Sequence, residues 1–259
     1  MCGRYTVTSA PEAIRALFGY PEQPNFPPRY NIAPTQPIAI VRLHEGKRQF
    51  ALVRWGLLPS WVKDPKKFTL LINARGESLS DKPAFCAAIK RRRCLVPADG
   101  FYEWKATGGR GPKYGPKQPY YVRAKSGKPI AFAGLWETWI GPNGEEMETA
   151  AIVTTRANRT LGPIHDRMPV IVPPEAFDLW LDCANVDAET AAALIAPASD
   201  DLLEAYEVST EVNRTANDNE KLVQRWSAPA EAEPPPAKAP ARRAAVKPAD
   251  QDDGQGALF

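Results

Sequence analysis

PIAFAGLWETWIGPNGEEMETAAIVTTRA, residues 129–157, decides how the rest of the chain is read. It holds two runs rich in β-branched and aromatic residues, 129–140 and 147–157, parted by the turn-forming stretch IGPNGEE. Upstream lie more runs of the same kind: IAIVRL (38–43), QFALVRW (49–55), RCLVPA (93–98), FYEWK (101–105) and PYYVRA (119–124). Helices are expected only at the ends. Ser9 to Tyr20 has a capping-box pair in Ser9 and Glu12, an apolar face of Ile14, Leu17 and Phe18, and a stop at Gly19. Two further helices are expected at Pro174–Leu181 and Asp187–Ile195. Strands first and helices at the periphery predict an α+β fold: one domain on a largely antiparallel, partly closed β-sheet or barrel. There is no βαβ rhythm, no internal repeat and no glycine-rich phosphate loop.

The chain has 259 residues, 44% of them hydrophobic, enough for one sizeable core. Residues 2–226 are expected to form the domain. Residues 227–259 are rich in proline and alanine and nearly free of large apolar side chains, so a disordered tail is expected there. The formal net charge is only +3, which forces no nucleic-acid partner. The basic run Lys90 to Arg93 reads as a solvated face. Cys2, Cys86, Cys94 and Cys183 form no CxxC pair, and His44 and His165 are the only imidazoles. No zinc site or other cofactor is therefore expected. With no leader and no long apolar run, neither secretion nor a membrane span is expected, and the free thiols suit the cytoplasm.

Five stretches carry chemistry-bearing residues. Cys2 follows the initiator methionine; removal of Met1 would leave an α-amine and a thiol on adjacent carbons, though a lone cysteine also suits a core. In LLINARGES, Asn73, Arg75 and Glu77 share one face if the segment is a strand, which fits a solvent face as well as a site. Glu103, between Tyr102 and Trp104, is a carboxylate in an aromatic setting, fit for proton transfer or for pairing with an arginine. His165 stands on a Gly-Pro loop ahead of a strand. Trp61, in RWGLLPSWVKDPKK, is placed to stack on a base, whereas Trp55 reads as core.

Taken together, MCGRY (1–5), RYNIAPTQ (29–36), RWGLLPSW (54–61), INARGES (72–78), RRCLVPADGFYEW (92–104), IHDRMPVIV (164–172) and the late VNRTANDNEKLV resemble the SRAP family, the SOS-response-associated peptidases or abasic-site processing proteins. The resemblance implies capture of abasic sites in single-stranded DNA. The amine of the terminal cysteine condenses with the ring-opened sugar aldehyde, and the thiol then closes a thiazolidine. By motif match Cys2 is the nucleophile, Glu103 moves protons at the amine, His165 assists ring opening, and Asn73 orients Cys2 and the sugar. Arg4 and Arg75 match phosphate contacts, while Pro34 and Trp61 match the wedge against neighbouring bases. Where bacterial relatives often carry a second tryptophan, this chain has Val62. Near neutral pH the amine and thiol are both expected to be partly ionised.

The last five residues, QGALF, with Gln255, Leu258 and Phe259, resemble the peptide by which bacterial repair proteins dock in the replication sliding clamp. Nothing in the sequence demands more than a monomer. Three rival readings remain: a glutamine amidotransferase using Cys2, a literal cysteine (auto)peptidase, and a non-covalent single-strand-binding module.

Overall fold

The structure is a computed structural model and describes residues 2–108 and 117–226. In chain order its elements are β1 (Tyr5–Val7), α1 (Pro11–Phe18), β2 (Arg29–Ile32), β3 (Pro37–His44), β4 (Lys47–Trp55), β5 (Asn73–Arg75), α2 (Cys86–Arg91), β6 (Arg93–Ala98) and β7 (Gly100–Ala106). There follow β8 (Lys117–Ala124), β9 (Ile130–Ile140), β10 (Glu146–Arg156), β11 (Arg167–Pro169), β12 (Ile171–Val172), α3 (Phe177–Leu181), α4 (Ala188–Ala192) and β13 (Leu203–Glu207).

The 129–157 stretch is the β9–β10 hairpin, and it is also the seam of a barrel. Strands β10, β4, β3, β6 and β9 pair in that order, and β9 pairs again with β10, which closes the ring. Only the β10–β4 junction is parallel. Closure removes the exposed edges that an open sheet would present. It also buries both faces of the alternation: all six residues of β6 are buried, and after Arg93 the stretch CLVPA reads as a continuous apolar run. A second sheet, β13–β8–β7–β1–β2, is antiparallel throughout and lies against the barrel through Tyr5. The Tyr5 ring meets Trp55 and Phe132 edge-on, with centroids 5.3 and 6.1 Å apart. Each such ring contributes about 1.5–3 kcal/mol through burial. The expected α+β class with a partly closed, largely antiparallel core is what the chain adopts.

Several local expectations need correction. The capping box does not form: α1 begins at Pro11, and Ser9 turns instead to Asp99, through both its hydroxyl and its N–H. Gly19 does end the helix, at φ 70°. The row of Asn73, Arg75 and Glu77 is broken, because β5 stops at Arg75 and Glu77 sits in a 3-10 turn. The run Lys90–Arg93 is not one solvated face. Lys90 and Arg91 are exposed, but Arg92 pairs with Glu137 at 2.7 Å and Arg93 is fully buried. The Arg93 guanidinium donates to the carbonyls of Trp180, Ile89, Asp182 and Val186, tying α2 and β6 to the segment around α3. Among the described residues no helix is long and apolar enough to cross a membrane. Residues 227–259, with Gln255, Leu258 and Phe259, lie outside the described residues, as does Met1.

Candidate functional site

Cys2 stands just ahead of β1, and the register of that strand sets its neighbours. Tyr5 faces Phe101 across the β1–β7 pair, and the N–H of Tyr102 donates to the Arg4 carbonyl at 2.9 Å. Continued backward, the same register brings Gly3 alongside Glu103. Alternation along β7 sends Tyr102 and Trp104 into a tyrosine-rich cluster with Tyr121 and Tyr206, and Glu103 to the opposite side, where it is 2% exposed. Asn73, the first residue of β5, is held by parallel pairing opposite Ile152. Its Nδ2 donates to the Cys2 carbonyl at 2.8 Å, and its Oδ1 is buried without a hydrogen-bond partner.

His165 lies in the loop that leads into β11. Its Nδ1 accepts the Arg167 N–H at 3.0 Å, which in the neutral ring leaves the proton on Nε2. The Asp166 carboxylate is also 2.9 Å from Nδ1, ready to meet a proton placed there. The Arg167 side chain forks onto Glu77 at 2.6 and 2.8 Å and onto the Thr154 carbonyl, fixing the loop to β10.

Gly3, Arg4, Pro34, Glu103, Trp104, Lys117, His165 and Asn213 line one cleft of about 640 Å³. A second cleft of about 670 Å³ shares His165 and is lined by Arg75, Lys82, Arg156 and Arg167 together with Glu77, Ser78 and Asp166. Arg75 is thus exposed in the second cleft, not beside Arg4 in the first. Trp61 is 57% exposed, edge-on to Phe68 at 5.6 Å, and lines neither cleft. Val62 turns inward against Leu58 and Trp139, so its position supports the Trp61 loop from below. Pro34 forms part of the rim, and the next residue, Thr35, is held at φ 73°, a left-handed conformation unfavourable for a β-branched side chain.

Burial raises the Glu103 carboxyl above the usual carboxylate range, against the pull of nearby positive charge. The Cys2 thiol is fully buried, and that burial, followed by the Glu103 charge, holds its pKa far above a free thiol's. In the chain that carries Met1 the sulfur is therefore S–H. Among the described residues no group of His, Cys, Asp and Glu is arranged to hold a metal.

Sequence reasoning missed one layer of the site. Arg4 Nη1 donates to Asn31 Oδ1 at 2.7 Å and to the Val212 carbonyl at 2.8 Å, and Nη2 reaches the Asn213 carbonyl at 3.4 Å. Asn213 accepts in turn from Trp104 Nε1 at 2.8 Å. Both RYNIAPTQ and VNRTANDNEKLV were visible as blocks, but nothing in either pointed to the other. The model of the family described as SOS response associated peptidase (SRAP) matches residues 1–215. The chain belongs to the SRAP family. It is 39% identical over 227 residues to the abasic site processing protein YoqW of Bacillus subtilis, covering 86% of this chain and 99% of that one. It is 31% identical over 262 residues to the abasic site processing protein HMCES of Xenopus tropicalis, covering 84% and 76%. Among solved structures, a protein of Bacteroides thetaiotaomicron aligns with a TM-score of 0.76 at 26% identity, over 87% of this chain and all of that one. A phage-related protein of Bordetella bronchiseptica aligns with a TM-score of 0.64 at 36% identity, over 80% and 94%. In this SRAP chain the blocks that carried the resemblance supply most of the walls of the two clefts.

Proposed function

We propose that this SRAP chain senses abasic sites in single-stranded DNA and captures them covalently through Cys2 after Met1 is removed. The observation that supports this best is convergence. Gly3, Arg4, Pro34, Glu103 and His165, from four separate segments, line one cleft, and Asn73 grips the Cys2 carbonyl from a fifth.

The chemistry runs in two steps. The freed amine attacks the C1′ aldehyde of the ring-opened sugar, and loss of one water leaves an imine. The thiol then adds across the C=N bond: sulfur bonds to C1′, and the thiol proton passes to nitrogen. Burial holds the Glu103 carboxyl above the usual carboxylate range, which suits it to take a proton from the ammonium and return one to the departing hydroxyl. His165, with its proton on Nε2, donates toward the sugar oxygen, and Asp166 holds the imidazolium whenever Nδ1 gains a proton. The amine is the first nucleophile because it condenses with the aldehyde to the imine, and ring closure by the neighbouring thiol benefits from the large effective molarity of an intramolecular step.

Arg4 and Arg75 sit in clefts that share His165, so a strand crossing that residue meets a guanidinium on each side. Trp61 and Pro34 wedge neighbouring bases, with Trp61 stacking from its exposed loop. The C-terminal Gln255, Leu258 and Phe259 belong to this proposal as a tethered sliding-clamp anchor; pull-down on the clamp should be lost when residues 255–259 are deleted.

Mass spectrometry after mixing with an abasic oligonucleotide tests the central claim. A covalent adduct is expected for the wild type, with Met1 absent from the protein component, and none for Cys2→Ala. An equal adduct yield from Cys2→Ala would overturn it.

A further inference from the structure

We propose that Asn31 is a positioning residue of the cleft: one buried amide holds Arg4 and the backbone of residues 212–217 in a single arrangement, and so sets Arg4 against the strand. The inference rests on the reading of the cleft as a site for single-stranded DNA.

Asn31 is on β2 and is 0% exposed. Its Oδ1 accepts Arg4 Nη1 at 2.7 Å. Its Nδ2 faces three carbonyls, of Asn217 at 2.7 Å, Arg214 at 3.0 Å and Val212 at 3.2 Å. The orientation of the amide follows from these partners. Turned over, it would present N–H groups to a guanidinium and oxygen to three carbonyls. Two hydrogens serve the nearer two carbonyls, and the third is shared with Arg4 Nη1, which reaches the same Val212 oxygen at 2.8 Å.

The segment so held is a strap of mostly turn-like backbone. Across its length it is fastened to the second sheet by Trp104 on Asn213 and by Arg29 Nε on Asp218 at 2.8 Å. Asn213 and Arg4 both line the cleft. Three of the five N–H groups of Arg4 are engaged by Asn31 and the strap, which leaves two for a ligand. A flexible arginine fixed by three bonds loses little further freedom when it meets a phosphate, and that preorganisation is what Asn31 supplies. Without the amide, Arg4 keeps its charge but loses its direction.

The test uses the full chain and a single-stranded oligonucleotide carrying a tetrahydrofuran abasic analogue, which has no aldehyde and reports binding alone. Affinity is measured by anisotropy from 50 to 200 mM salt. One phosphate contact on a single strand contributes a slope of about 0.7, or roughly 2.5-fold of the affinity lost over that range. Arg4→Ala and Asn31→Leu should each reduce the slope by that amount, and the double variant by no more than either alone. Asn31→Asp guards against misfolding of the leucine variant. It keeps an acceptor for Arg4 but removes both N–H donors, so it should loosen the strap, seen as faster hydrogen exchange over 212–218 than in wild type. If wild type binds and Arg4→Ala lowers the slope while Asn31→Leu leaves it unchanged, the inference fails and the DNA reading stands. Reductions that add in the double variant, or Asn31→Asp exchange equal to wild type, also overturn it. If the wild type does not bind, the DNA reading fails and takes this inference with it.

Discussion

Replacing Arg93 with methionine separates two accounts of the basic run at residues 90–93. As part of a solvated face, Arg93 would matter to DNA and little to folding. In the structure it is fully buried, and its guanidinium donates to four carbonyls at 2.5–2.9 Å. Methionine fills much of the volume but removes the guanidinium donor from all four carbonyls, of which Asp182 keeps the Val186 N–H. Each orphaned buried group costs about 1–3 kcal/mol, part of it recovered by apolar packing and local water, so the net loss is about 3–5 kcal/mol. A domain of this size loses about 2–4 °C of Tm per kcal/mol, which places the fall at roughly 6–20 °C. Thermal unfolding followed by circular dichroism measures it, and the salt slope of oligonucleotide binding, taken well below the transition, should equal that of wild type. A Tm within about 2 °C of wild type, or a slope lowered by one phosphate contact, refutes the buried-hub account.

Three other outcomes follow from the geometry. Glu103 is held above its unfolded pKa, so the fold favours its protonated form; that contribution is complete below about pH 4.3 and is lost as pH rises through the folded value. Glu103→Gln should therefore be more stable than wild type at pH 8, with the gain vanishing near pH 4 in thermal melts; a gain that does not change with pH contradicts the assignment. Thr35→Gly relieves a left-handed β-branched residue, which costs about 1–2 kcal/mol, against the added flexibility of glycine, about 0.5–1 kcal/mol, so denaturant unfolding should show unchanged or slightly higher stability and not a loss. Trp61→Ala removes an exposed stacking surface worth about 1–3 kcal/mol per base, so oligonucleotide affinity should fall roughly 5- to 150-fold while Tm moves little.

The long strands were legible because period and composition agree over six or more residues. RCLVPA is β6 to the residue, and the two runs around IGPNGEE became β9 and β10 with one-residue shifts. Strands of three or four residues, such as β1 and β2, were not legible, because their existence depends on a neighbour and not on their own pattern. Ser9 shows the same limit: its capping signal was real, but Asp99, ninety positions away, offered a better partner. At the site, the residue types that can do chemistry stood out by their rarity in apolar surroundings, as Glu103 and His165 did. What holds them did not. Asn31 is an ordinary asparagine until the fold brings three carbonyls and a guanidinium around it, and the ionisation of Cys2 is set by burial that no local sequence displays.

The bond from Arg4 to Val212 spans 208 positions, nearly the full length of the folded chain. During synthesis, Cys2 leaves the ribosome first and waits for almost everything else. Until residue 217 has emerged, Asn31 has no carbonyls to bind and Arg4 has no strap to hold it. A chain that stops short of residue 217 accordingly carries Cys2 without a finished wall. The cleft around it is complete only once the chain has been made through that residue, so the order of the sequence makes the site one of the last features to be finished.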